Sequence, residues 1–140
     1  MAGEKRTYRI GEIYNMYFQG KGSVQSGWRP GLVFQNNVGN AKSPNIIALP
    51  LTSSLKKMNM PTHVLVNASD TGLKRDSLVL CENPETISKE NVGVYITTLS
   101  EDYMREIAVA SLISMSAISF LDKEVLITTW EKTVALNLVS

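Results

Sequence analysis

A chain of 140 residues, 44% hydrophobic and 19% charged, has the make-up of one globular domain. A domain of that size buries roughly 70% of its unfolded surface and needs neither metal nor disulfide to hold a core. The formal net charge is +1, which excludes a global basic field that would advertise a nucleic-acid partner. Any such contact must come from local pairs, such as Lys56 and Lys57 or Lys74 and Arg75.

Taken in chain order, the segment through Arg9 is polar and lacks the apolar stretch of a signal peptide. From Ile10 to Thr98, short runs rich in β-branched residues are separated by Gly, Pro, Asn and Ser. They predict strands at Glu12–Phe18, Gly31–Gln35, Ile46–Leu51, His63–Val66, Ser77–Asn83 and Val92–Thr98. The loop from Gln19 to Arg29 holds three glycines and two serines and is expected to be mobile. Loops of that length in compact domains are often functional. The single cysteine, Cys81, sits in the apolar run Ser77-Leu78-Val79-Leu80-Cys81 without a basic or histidine neighbour. It reads as a buried structural thiol in a protein of a reducing compartment.

The period changes at Ser100. Ser100 is an N-cap, and Glu101 and Asp102 place negative charge where the helix dipole favours it. Met104, Ile107, Ala108, Ser111, Leu112, Met115 and Ile118 follow at steps of three and four, predicting about five helical turns packed on the sheet. The segment Ala108 to Leu121 is too short to span a bilayer and carries serines, so a soluble, cytoplasmic protein with no membrane partner is expected. In the tail, Val125 to Trp130 and the alternation of Val134, Leu136 and Leu138 favour strands over a helix. That apolar tail must pack on its own domain or on a partner subunit. Several short strands with one docked helix give a single α+β domain over residues 1–140, built as a small, partly closed antiparallel barrel.

Much chemistry is absent. No Gly-rich phosphate loop is followed by Lys and Ser or Thr, no Cys/His cluster has metal-ligand spacing, and no serine lies in a nucleophile elbow. His63, the only histidine, starts a predicted strand and reads as a hydrogen-bonded structural residue, which argues against a two-histidine ribonuclease mechanism. What remains are polar residues at strand ends. Arg29 stands where the mobile loop meets a strand, and Pro30 restricts it to extended conformations. Thr52 stands where Leu49-Pro50-Leu51 breaks into the hydroxyl-rich turn Thr52-Ser53-Ser54. Alone, each also reads as an ordinary surface group: a surface ion pair and a strand-end hydroxyl.

Together with their neighbours they carry a resemblance. The stretch Arg29-Pro30-Gly31-Leu32-Val33-Phe34-Gln35-Asn36-Asn37-Val38-Gly39-Asn40 with Ser43-Pro44 resembles the MazF/PemK toxins. Leu51-Thr52-Ser53, Leu55-Lys56-Lys57, Pro61-Thr62-His63-Val64, Gly72 to Ser77 and the helix opening at Leu99 recur in that family's order, so the likeness spans about residues 8–119. It leaves residues 120–140 as an extension. The resemblance implies an SH3-like barrel with a C-terminal helix, assembled as a homodimer, that cleaves single-stranded RNA without a metal or other cofactor. It also implies a small antitoxin that holds the toxin inactive.

In that family the Arg of the Arg-Pro segment and the Thr of the Leu-Thr-Ser segment are the catalytic pair, which places the roles on Arg29 and Thr52. A guanidinium stays charged at any working pH and offers a fork of donors matched to phosphate, so Arg29 suits charge stabilisation and not general base work. Thr52 would orient the attacking 2′-hydroxyl or help to deprotonate it. Ser23, Gln25, Ser53 and Asn83 are expected to hydrogen-bond RNA, Trp28 to stack on a base, and Lys56 and Lys57 to contact phosphates. Two features depart from the family. Where members usually carry a glutamine and, two residues on, an arginine facing the RNA groove, this chain has Asn83 and Glu85. The tail beyond Phe120 is absent from most relatives. The alternatives are a non-enzymatic binder on the same barrel, like the CcdB-type gyrase poisons, and a catalytically weakened relative that binds only RNA or an antitoxin.

Overall fold

A computed structural model describes residues 7–20 and 26–138. Its strands are β1 (Glu12–Phe18), β2 (Gly27–Val33), β3 (Asn45–Thr52), β4 (His63–Val66), β5 (Ser77–Leu80), β6 (Glu85–Ser88) and β7 (Val92–Thr98). The helices are α1 (Asn37–Lys42), α2 (Ala68–Thr71), α3 (Glu101–Met115) and α4 (Lys123–Ala135). The strands run in the order β4-β5-β3-β2-β1-β7, with β6 attached to β3, and all the pairings are antiparallel.

β3 organises the sheet. One of its edges is zipped to β2 through Gly31↔Pro50, Leu32↔Leu49 and Val33↔Ala48. Its other edge is divided, with Asn45 to Ala48 on β6 and Leu51 and Thr52 on β5. Serving three partners curls the sheet, and register shifts between β1 and β7 at Ile13/Tyr14 and Tyr14/Met16 bend it further. The curl returns the end of β1 to β6, where the Gln19 N–H donates to Glu85 Oε2 at 2.9 Å. The sheet is curled without closing into a barrel, and its antiparallel strands with C-terminal helices are the α+β fold expected.

β1, β2 and β3 place buried residues in both of two cores, whereas β4 and β5 contribute to one and β6 to the other. Ile13, Leu32, Leu49, Leu51, Val64 and Val79 pack with Ile107 and Ala110 of α3. Tyr14, Met16, Phe18, Val33, Ile46, Ala48 and Ile87 form the second core. Gly31 is where the second core closes against backbone. A Cβ there would lie 2.7 Å from Phe18 Cζ and 2.8 Å from Met16 Sδ, distances that no side chain tolerates.

Several boundaries differ from expectation. β2 begins at Gly27, four residues before the predicted start at Gly31, so Arg29 lies within a strand and not at a loop end. The strand predicted over 77–83 stops at Leu80, because a turn closed by Asn83 N–H to Leu80 O (3.1 Å) intervenes before β6, which was not anticipated. The short helices α1 and α2 were likewise not anticipated. α3 starts at the expected Ser100 cap, whose side chain accepts from the Tyr103 N–H. It ends a turn early, where Ser116 turns left-handed (φ 53°) before the 3₁₀ turn Ala117–Phe120. Only its first turns pack on the sheet: Ile107, Ala110 and Ser111 are buried, whereas Leu112, Met115 and Ile118 of the predicted stripe are exposed. The tail is a correction in kind. It forms helix α4, not strands, started by the Asp122 carboxylate accepting from the Val125 N–H at 2.9 Å. Among the described residues no helix is long and apolar enough to cross a membrane.

Candidate active site

β2 and β3 bring the two leading residues together. The β2–β3 ladder ends at Gly31↔Pro50, two residues short of Arg29 on one strand and of Thr52 on the other. Both side chains then border two adjoining depressions. The larger, about 740 Å³, is lined by Asn15, Arg29, Thr52, Ser53, Lys74 and Arg75, with Val94 and Tyr95 of β7 on its far wall. The smaller, about 320 Å³, is lined by Arg29, Thr52, Lys56, Lys57, Glu82 and Asn83, with His63 at its base. Arg29 and Thr52 therefore form the sill of one groove.

The electrostatics suit an anion. Arg29 enters none of the ion pairs among the described residues, and its Nε is buried without a hydrogen-bond acceptor. An unpaired buried donor on a permanent cation costs free energy until something negative meets it. Lys74 and Arg75 flank it on one side, Lys56 and Lys57 on the other. The basic pairs that look unremarkable one by one thus converge on the groove of a chain that is almost neutral overall. Thr52 Oγ1 accepts the Ser54 N–H at 3.2 Å, which fixes the hydroxyl and leaves its proton free to donate. That arrangement favours orientation of a ligand oxygen over removal of a proton.

The loop carrying Lys56 and Lys57 is held from below. The His63 side chain is 4% exposed. Its Nδ1 lies 2.9 Å from the Lys57 carbonyl and its Nε2 2.5 Å from Glu82 Oε2. A carbonyl only accepts, so the Nδ1–H donates to it. The histidine is structural, as the strand-start reading expected, yet it ties the lysine turn to the groove floor. The other Glu82 oxygen, Oε1, is buried and unpartnered. On the opposite bank Gly72 (φ +82°) caps α2 in the left-handed conformation and turns the chain so that Lys74 and Arg75 reach the groove.

Of the residues expected at the site, Arg29, Thr52, Ser53, Lys56, Lys57 and Asn83 all line the groove. Trp28 lies outside both depressions: it is 56% exposed and edge-on to Tyr17, with ring centroids 5.8 Å apart. Ser23 and Gln25 fall outside the described residues. Glu85, expected to reverse a charge in the groove, instead accepts the Gln19 N–H and lines neither depression. Sequence reasoning missed Asn15, Glu82 and Tyr95, which reach the groove through β1, the turn after β5, and β7. No local signal marks them, because their placement depends on the curl of the sheet.

The family described as PemK-like, MazF-like toxin of type II toxin-antitoxin system matches residues 9–115. The chain is 40% identical over 99 residues to Endoribonuclease EndoA of Bacillus subtilis (strain 168), covering 71% of this chain and 85% of that protein. It is 37% identical over 95 residues to Endoribonuclease MazF of Staphylococcus saprophyticus, covering 68% and 79%. Among solved structures, an endoribonuclease in complex with its cognate antitoxin from Mycobacterial species superposes with a TM-score of 0.65 at 25% identity, covering 79% of this chain and 96% of that one. MazF from Deinococcus radiodurans, at 20% identity and covering 80% and 99%, superposes with a TM-score of 0.69 and shares the fold. The matched span contains Arg29, Thr52 and both groove banks, and stops at the end of α3. On these findings the chain belongs to the PemK-like, MazF-like toxin family of type II toxin–antitoxin systems.

Proposed function

We propose that this protein is an endoribonuclease toxin that cleaves single-stranded RNA without a metal, and that Arg29 and Thr52 carry the reaction. The observation that carries the reading is that Arg29, with an unpartnered buried Nε, shares with Thr52 the sill of a groove with basic banks. The endoribonucleases among its relatives favour this reading over a gyrase-type binder. The chain acts as one domain in the cytoplasm, as a homodimer, and is restrained by a cognate antitoxin that competes for the groove.

In the reaction the 2′-hydroxyl loses its proton to water as its oxygen attacks the adjacent phosphorus, the bond to the 5′-oxygen breaks, and that oxygen takes up a proton from water. Negative charge builds on the non-bridging oxygens, where the Arg29 guanidinium neutralises it. Thr52, held by the Ser54 N–H, donates to and orients an oxygen near the attacking hydroxyl. Lys56, Lys57, Lys74 and Arg75 hold phosphates on either side of the scissile one. The products are 2′,3′-cyclic phosphate and 5′-hydroxyl ends.

The test is incubation of the purified protein with a long single-stranded RNA in EDTA, beside an Arg29→Ala variant, followed by end-group analysis. Cleavage by the parent and its loss by about a hundred- to a thousand-fold in the variant is the expected result. Finding 5′-phosphate ends, or a strict need for Mg²⁺, overturns the mechanism.

A further inference from the structure

Helix α4 lies outside the family match, which ends at residue 115, and it contributes no buried residue to the domain. Its apolar side chains nevertheless form a stripe. Leu126, Ile127, Trp130 and Val134 recur at steps of three and four on one face, and all are exposed, Trp130 by 60%. Phe120, just before the helix, is 86% exposed. A helix of 13 residues is marginal in water when nothing packs on it. The domain itself does not cover this face.

We propose that α4 is a self-association helix, which pairs antiparallel with α4 of a second copy of this chain across a two-fold axis at Ile127. Charge selects the second copy and its direction. Lys123 and Glu131 flank Ile127 at i−4 and i+4, on the same face as the stripe. An antiparallel pairing centred on Ile127 sets Lys123 beside Glu131 of the partner subunit, and symmetry repeats the contact. A parallel pairing would oppose Lys123 to Lys123 and Glu131 to Glu131. The antiparallel register also brings Phe120 level with Val134 of the partner subunit, while Trp130 anchors the centre. Covering the stripe together with Phe120 withdraws on the order of 500 Å² per chain, the greater part of the roughly 800 Å² per partner of a standard stable interface. RNA is a poor occupant, because Lys123 and Lys132 are balanced by Glu124 and Glu131. The pairing does not depend on the catalytic reading, since it uses none of the groove residues.

Cross-linking of the full chain tests it. At a two-fold axis between helices whose axes are about 8–10 Å apart, facing Cα atoms come within disulfide reach. Under mild oxidation the Ile127→Cys chain should form a disulfide-linked dimer, whereas Thr129→Cys, on the opposite face, should remain unlinked. The native Cys81 is buried and stays out of the exchange. Adding Lys123→Glu to Ile127→Cys should slow linking severalfold, and adding Glu131→Lys as well should restore it. No link at position 127, or equal linking at 127 and 129, overturns the proposal. Linking that the charge exchange fails to restore overturns the antiparallel register. If the new thiol at 127 stays unlinked at raised protein concentration and is shielded from alkylation only by the cognate antitoxin, the occupant is the antitoxin and self-association is wrong.

Discussion

Arg29 and Thr52 sit on adjacent strands, and their chemistry divides cleanly. The guanidinium can neutralise charge but cannot act as a base, while the threonine hydroxyl, pinned by the Ser54 N–H, can orient but is poorly placed to accept a further proton. Thr52→Ser should therefore keep most of the activity, and the near-isosteric Thr52→Val should lower kcat by about a hundredfold at an unchanged fold. Loss in Thr52→Ser with activity kept in Thr52→Val would mean that the methyl group matters and not the hydroxyl. His63 acts at one remove. His63→Ala frees the Lys57 carbonyl and strands the Glu82 carboxylate, which should cost roughly 1–3 kcal/mol of stability, read by urea unfolding. It should also raise KM more than it lowers kcat, because the phosphate-holding turn loosens while Arg29 stays in place. Arg29 and Thr52 were legible because their motifs are local. Glu82 was not, since a glutamate after a cysteine says nothing of the histidine 19 residues earlier that meets it.

Among the elements, the Arg-Pro-Gly segment shows how a strand is built to serve a site. Arg29 faces the groove, Pro30 restricts the residue before it, and Gly31 lets β2 lie against Met16 and Phe18. Gly31→Ala would push a methyl into both side chains and should destabilise the fold by about 1–3 kcal/mol, measured as a lowered urea midpoint. It should also impair cleavage, because Arg29 stands two residues away on the same strand. The strands were readable because their buried positions carry β-branched and other large apolar residues in short runs, set apart by Gly, Pro, Asn and Ser. The tail was misread for a related reason. Leu126 and Ile127 are adjacent, and with Val125 and the later alternation of Val134, Leu136 and Leu138 they imitate a strand. The decision lies with Asp122, whose side chain caps a helix start at the Val125 N–H. α1 and α2 are too short to show a helical period at all.

For the whole molecule, a formal charge of +1 is a poor guide to what it binds, because the cations are unevenly placed. Arg29, Lys56, Lys57, Lys74 and Arg75 converge on one groove, while Lys123 and Lys132 lie on α4 beside Glu124 and Glu131. Counterion release depends on the phosphates actually met, so local placement and net charge predict different salt dependences. Binding of a short RNA made uncleavable by a 2′-deoxy substitution at the scissile site can be followed by anisotropy from low to high salt. Neutralising Lys56 and Lys57 together should reduce the magnitude of the slope of log K against log salt by about 1.4, at about 0.7 per phosphate on a single strand. Neutralising Lys123 and Lys132 together removes the same net charge and should leave the slope unchanged. Equal changes in the two double variants would mean that RNA responds to the overall charge, and the groove would lose its claim to be the binding site. A slope altered only by the groove lysines would identify the path of the strand, with Arg29 at its centre.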